Sequence, residues 1–127
     1  MKGLLVLSLL TLTSCGRYVT HDEMNNVKDR VKTLEEKSYA YKGASGVYFD
    51  TSQFSDYGKL GNINLQGLQE GARVAVSDEK RNPTDFLLWK SSPKLGWQSP
   101  WGMGFPGWHI ECSAMIRACL GTQIDIH

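Results

Sequence analysis

Gly107-Trp-His-Ile-Glu-Cys-Ser-Ala-Met115, continued by Ile-Arg-Ala-Cys-Leu-Gly121, is the stretch on which the rest of this fold must close. From His109 to Leu120 the residue order is helical, and Gly121 stands where a left-handed C-terminal cap belongs. Glu111 and Arg117 are its only charges, so the helix is apolar on most sides, which predicts burial between layers. His109 and Cys112 lie at i and i+3 on it and could meet one metal ion. One such pair is weak, because a stable zinc site needs three or four ligands. By itself the pair favours a satisfied buried histidine and an inert buried thiol, and Cys119 reads as core.

Immediately upstream, Ser91 to Trp108 holds three of the four prolines, three of the four tryptophans and four glycines. Such a segment cannot be a regular helix, and its tryptophans need something to cover. It reads as an ordered loop folded over a core or a pocket. Before it, Thr84-Asp-Phe-Leu-Leu-Trp-Lys90 fits helix or strand, Ser77 to Asn82 is a charged turn, and Pro83 suits the first position of the next element. Arg73-Val-Ala-Val76 reads as a short strand, and Asn64 can cap a short helix that carries Leu65 and Leu68 and ends near Gly71. Ser55 to Gly61 is a loop, Gly43 to Gly46 a turn, and Gly46-Val-Tyr-Phe-Asp50 a strand. Thr20-His-Asp-Glu23 is a capping box, followed by Met24, Val27, Val31 and Leu34 at helical intervals. An amphipathic helix is expected over 21–37, its stripe packing on its own domain rather than on a coiled-coil partner, since two heptads are too few.

The two ends are unlike the middle. Met1 to Gly16 is strongly apolar, with Lys2 its one charge. It is too short to span a bilayer and fits either a secretory signal or a buried segment of an internal domain. Leu12-Thr-Ser-Cys-Gly16 resembles a lipoprotein modification box, which makes Cys15 either its cysteine or a buried thiol. Thr122-Gln-Ile-Asp-Ile-His127 begins the alternation of a strand and then stops, so the fold is expected to continue in a longer protein.

Composition sets outer bounds. The chain has 127 residues, enough for one domain, and 41% aliphatic, aromatic and sulfur residues against 21% charged, which excludes a disordered chain. A net charge of +1 gives no argument for nucleic-acid binding from bulk charge. Three cysteines at irregular spacing do not make a disulfide framework. Phosphate loops, dinucleotide fingerprints, Cys-x-x-Cys pairs and nucleophilic triads are missing from the sequence.

The literal strings go further. Gly107-Trp-His-Ile-Glu-Cys-Ser-Ala-Met115 strongly resembles a signature of cysteinyl-tRNA synthetases, as does Lys80-Arg-Asn-Pro-Thr-Asp-Phe-Leu-Leu-Trp-Lys90. So do Gly46-Val-Tyr-Phe-Asp50, Tyr57-Gly-Lys-Leu60, Gly71-Ala-Arg-Val74, Ser99-Pro-Trp-Gly102 and Leu120-Gly121 followed by Asp125-Ile-His127, all in the family's order. The resemblance runs from Thr33 to His127. Upstream, Met1-Lys2-x-Leu4-x-Val6-Leu7 is similar to a family segment, though Leu9 and Leu10 stand where prolines are usual.

The resemblance implies an α/β fold: a partial class I synthetase Rossmann-like catalytic domain with its α+β connective insertion. Residues 1–19 would be an apolar lead-in, 20–106 a helix plus the insertion, and 107–127 a return helix and truncated strand. It implies activation of cysteine with ATP and transfer to tRNA(Cys). A zinc ion would hold the substrate sulfur, a soft-metal choice that separates cysteine from serine. Carried over by position, Cys112 is a zinc ligand, Trp108 lines the amino-acid pocket and His127 lies near its base; His109 is not carried over as a ligand. The other zinc ligands and both ATP signatures are absent from this sequence, so the chain by itself is expected to be inactive. Lys80, Arg81 and Lys90 could face the tRNA acceptor end, although a solvated charged turn explains them better. The implied compartment is the cytosol, or an organelle in a eukaryote, with no strong membrane partner. Two alternatives stay open: an exported or lipid-anchored non-catalytic protein that reuses the insertion, and an ATP-dependent cysteine ligase acting on a small amine.

Overall fold

A computed structural model describes residues 20–63 and 78–125. Helix α1 is His21–Glu36, strand β1 is Ala40–Gly43 and β2 is Gly46–Phe49; a 3-10 turn, Thr51–Gln53, follows. Strand β3 is Phe86–Ser91, β4 is Gly104–Pro106, and helix α2 is Trp108–Cys119. The strands form one sheet in the order β1-β2-β3-β4, and every pairing is antiparallel. Both helices pack together, α1 also against β1 and α2 against β3.

The ends of α1 follow directly from its sequence. The Glu23 N–H donates to the Thr20 hydroxyl at 3.2 Å, and the Thr20 N–H donates to the Glu23 carboxylate at 2.8 Å, which completes the capping box. At the other end the Tyr39 N–H reaches the Leu34 carbonyl and the Ser38 N–H the Glu35 carbonyl, a Schellman closure with Ser38 at φ 63°. Met24, Val27 and Val31 are buried, and Leu34 packs beside them. The expected stripe therefore faces the domain's own core, completed by Val47, Leu88, Trp89, Trp101, Ile110 and Ala114.

The hairpin β1–β2 turns through Ala44 and Ser45, with Tyr41 opposite Tyr48 and Gly43 opposite Gly46. Gly46 has φ +144°, and a Cβ there would lie 1.9 Å from the Trp89 carbonyl oxygen, so this crossing of β2 over β3 admits only glycine. A register shift between Val47 and Tyr48 puts Trp89 opposite the first and Leu87 opposite the second. The extra residue, Leu88, is why two consecutive side chains of β3, Leu88 and Trp89, are both buried.

Several expectations change on the structure. Ala40–Gly43 is a strand that has no alternating pattern of its own and gains its state by pairing with β2. The ambiguous Thr84–Lys90 stretch is strand from Phe86, and Pro83 lies in the turn before it rather than at the first position of an element. Of the expected Ser91–Trp108 loop, Ser91 ends β3, Gly104–Pro106 is strand β4 and Trp108 opens α2; the rest does fold over the core, where Trp101 is buried against Trp89 and its Nε1–H donates to Glu35 at 2.9 Å, while Trp97 meets His21 edge-on. Thr122–Asp125 have no strand geometry, since no neighbouring strand offers them a ladder among the described residues. The elements expected at Asn64–Gly71 and Arg73–Val76, the apolar lead-in 1–19 with Cys15, and His127 lie outside the described residues.

The largest correction concerns α2. Among the described residues it is covered on one side and not sandwiched between layers. Ile110 and Ala114 are buried, yet Trp108 is 85% exposed and Met115 58%, with Leu120 exposed just beyond the helix. Cys112, Cys119 and His109 are exposed too. An apolar helix needs two covering layers; α1 and β3 supply one.

Candidate functional site

The site begins at the strand that delivers α2. Strand β4 runs beside β3, with Trp89 opposite Pro106 and Ser91 opposite Gly104. Gly107 follows, its N–H donating to the Leu88 carbonyl at 2.7 Å. A Cβ on Gly107 would come 2.0 Å from the Leu87 carbonyl oxygen, so the bare backbone is what lets the helix start this close to the sheet. No side chain caps α2 at Gly107. Instead the second helical residue, His109, sets its ring against Phe86, 4.4 Å between centroids and tilted by 50°.

The helical repeat then fixes directions. At about 100° per residue, Trp108, Cys112, Met115 and Cys119 fall within about 40° of one line along α2. Ile110 and Ala114, the buried pair, lie on the opposite side. Trp108 and Cys112 are thus one turn apart, about 6 Å along the axis, on an exposed apolar face. Cys112 and Cys119 are separated by about 10 Å along the axis, too far for a disulfide.

The structure brings two of the three expected site residues, Trp108 and Cys112, onto one face; the third, His127, lies outside the described residues. His109, at i relative to Cys112 at i+3, has its imidazole against the Phe86 ring, 4.4 Å between centroids. Neither residue is buried, contrary to the reading of the pair by itself, and Cys119 is not core. Among the described residues no three His, Cys, Asp or Glu side chains are grouped to hold a metal. The donor type at Cys112, an accessible thiol, suits zinc; the donor number here, one, does not make a site. An open groove of about 470 Å³ between the helices is lined by polar side chains, among them Asp22, Asp29, Arg30 and Arg117. It contains neither Trp108 nor Cys112 and is not the site.

The Lys80–Lys90 motif has a structural part that sequence reading missed. Asp85 is 1% exposed, and its carboxylate accepts from the Tyr41 hydroxyl at 2.8 Å, the Thr51 N–H and hydroxyl at 2.9 Å each, and the Asn82 N–H at 3.0 Å. Burial pushes this carboxyl up, but the bonds from Thr51, Tyr41 and Asn82 outweigh it and hold it below the usual range. Tyr41 is pushed up to about 12, chiefly by burial and despite the Arg81 N–H that donates to its oxygen. The Arg81 guanidinium stacks 4.1 Å over the Tyr41 ring and reaches buried Asp50 at 3.5 Å. Lys80 is directed at the Pro83 carbonyl, 3.4 Å away. Arg81 thus clasps the hairpin, and Lys90 is exposed on β3. The signal that could have found this was Asp85 itself, an acid set directly before an apolar strand.

Residues 6–127 match the family model described as tRNA synthetases class I (C) catalytic domain. The chain is 52% identical over 110 residues to the cysteine–tRNA ligase of Thermococcus gammatolerans, which covers 84% of this chain and 23% of that protein. It is 50% identical over 108 residues to that of Clostridioides difficile (84% and 23%) and 56% identical over 101 residues to that of Methanococcus maripaludis (76% and 21%). The chain therefore spans less than a quarter of the length of these curated relatives. Among the described residues no helix is long and apolar enough to cross a membrane.

Proposed function

This chain belongs to the class I cysteinyl-tRNA synthetase catalytic-domain family, and on that footing we propose that it is the part of a longer cysteine–tRNA ligase that presents one wall of the cysteine pocket. The longer enzyme activates cysteine with ATP and transfers it to tRNA(Cys), in the cytosol or an organelle. The observation that carries the reading is the exposed Trp108–Cys112 pair, one turn apart on the side of α2 opposite the buried Ile110 and Ala114. A helix packed on one side and apolar on the other has a second surface to meet, and the relatives are about four times longer than the matched region.

In this reading Trp108 covers the substrate side chain and excludes water from it. Cys112 contributes one thiolate to a zinc ion whose other ligands lie elsewhere in the longer protein. When bound, that metal supplies a soft Lewis acid that favours a thiolate substrate over a hydroxyl. His127 is assigned near the base of that pocket only by its position in the family motif. This chain's own contribution is placement: β3 and β4 set the start of α2, and α2 sets the direction of both side chains.

Two measurements test the reading. The purified chain should retain no tightly bound zinc and show no cysteine-dependent pyrophosphate exchange; measurable turnover would refute the incompleteness. A chimera in which the aligned part of this chain replaces the matching 108 residues of the Clostridioides difficile ligase should catalyse cysteine-dependent ATP–pyrophosphate exchange. A well-folded chimera with no cysteine activation would count against the proposal.

A further inference from the structure

We infer that His109 is a positioning residue: its ring keys the first turn of α2 to β3 and so sets the direction in which Trp108 and Cys112 point. This rests on the reading that those two side chains meet cysteine. Gly107 has no side chain, and the helix has no side-chain cap there. The Gly107 N–H bond to Leu88 fixes where the helix starts. A bond on the preceding backbone does little to stop the helix turning about its axis. Ile110 and Ala114 seat the helix on the core, and the second helical residue adds a grip on the sheet beside them, through Phe86 at 4.4 Å.

What His109 grips is itself fixed. Phe86 stacks on Phe49 at 5.2 Å and on Tyr57 at 6.3 Å. The residue before it, Asp85, is tied down by Tyr41, Thr51 and Asn82. The Ser113 hydroxyl bonds the His109 carbonyl at 2.8 Å, joining this turn to the next. A helix turns as a unit. A rotation of about 20° moves an atom about 5 Å from the axis by roughly 2 Å. A shift of that size is enough to spoil a reacting geometry.

The test is amide hydrogen exchange on the full chain, free of metal, cysteine and ATP, in wild type, His109→Ala and His109→Phe. The Gly107 and Glu111 amides report on the clamp and on the first helical bond. His109→Ala should speed their exchange roughly threefold to tenfold, the worth of one ring contact. Amides of α1 should stay unchanged, and His109→Phe should restore both reporters. Unchanged exchange in His109→Ala would overturn the inference. So would an equal acceleration in α1, which would mean a general loss of stability, or a failure of His109→Phe to restore protection. If the exchange pattern holds while cysteine activation proves independent of Cys112, the reading of the site fails and the keying stands.

Discussion

The Tyr41 hydroxyl donates to the buried Asp85 carboxylate at 2.8 Å, joining β1 to the turn that launches β3 across 44 residues of sequence. Breaking either partner strands the other. Tyr41→Phe leaves Asp85 one donor short and the Arg81 N–H without its acceptor, so it should lower stability by about 1–3 kcal/mol. Asp85→Ala orphans the Tyr41 hydroxyl and the Thr51 and Asn82 amides together, and should cost at least about 3 kcal/mol. Urea unfolding of the three chains checks the order.

The same pair predicts the pH limits of the fold. Asp85 titrates lower in the folded state than in the unfolded one. Its stabilisation is therefore fully present above the unfolded value near 4 and lost as pH falls from there through the folded value. Tyr41 is raised to about 12, so its contribution is full below about pH 10 and lost as pH rises through 12. Tyrosinate absorbance should show a late-ionising phenol that disappears in Tyr41→Phe. Stability measured against pH should flatten on its acid side in Asp85→Asn.

Ser38 closes α1 with φ 63°, a conformation that costs a side chain bearing Cβ. Ser38→Gly should stabilise the chain by about 0.5–1 kcal/mol, after allowing for glycine's larger entropy in the unfolded state. A thermal melt that moved down instead would mean the serine side chain supports the cap.

Gly107→Ala should do the reverse. Its Cβ would stand 2.0 Å from the Leu87 carbonyl oxygen, backbone that cannot swing away. The start of α2 must shift, at a cost of about 1–3 kcal/mol. Thermal unfolding gives the cost, and chemical shifts of Trp108 to Cys112 should show the displacement.

The apolar stripe of α2 predicts thiol chemistry. In the folded chain Cys112 and Cys119 should both be alkylated by iodoacetamide at rates near those of the urea-unfolded chain, read site by site by peptide mass spectrometry. Protection of either thiol would mean that face is covered.

Legibility in the sequence followed the range of the interactions. Helix α1 could be read from Thr20, Glu23 and its four apolar residues because caps and stripes are local. Strand β1 could not, because Ala40-Tyr-Lys-Gly43 is a strand only through its partner. Phe86 to Lys90 suited two periodicities until the bulge at Leu88 showed why both Leu88 and Trp89 face inward. The existence of α2 was plain from residues 109–120; which of its faces is covered was not, since that depends on layers the helix does not encode. Trp108 and Cys112 were found through the motif, and the structure adds that they share an exposed line. Asp85 stayed hidden inside a motif because its donors lie on three separate segments.

The central claim is that the Cys112 sulfur is a metal donor at a cysteine pocket. Cysteine-dependent pyrophosphate exchange and zinc content, compared between the Clostridioides difficile chimera and its Cys112→Ser form, address it most directly. The account predicts that the serine form folds, loses zinc and falls more than about 100-fold in exchange. A serine form that keeps its zinc and its turnover would contradict it.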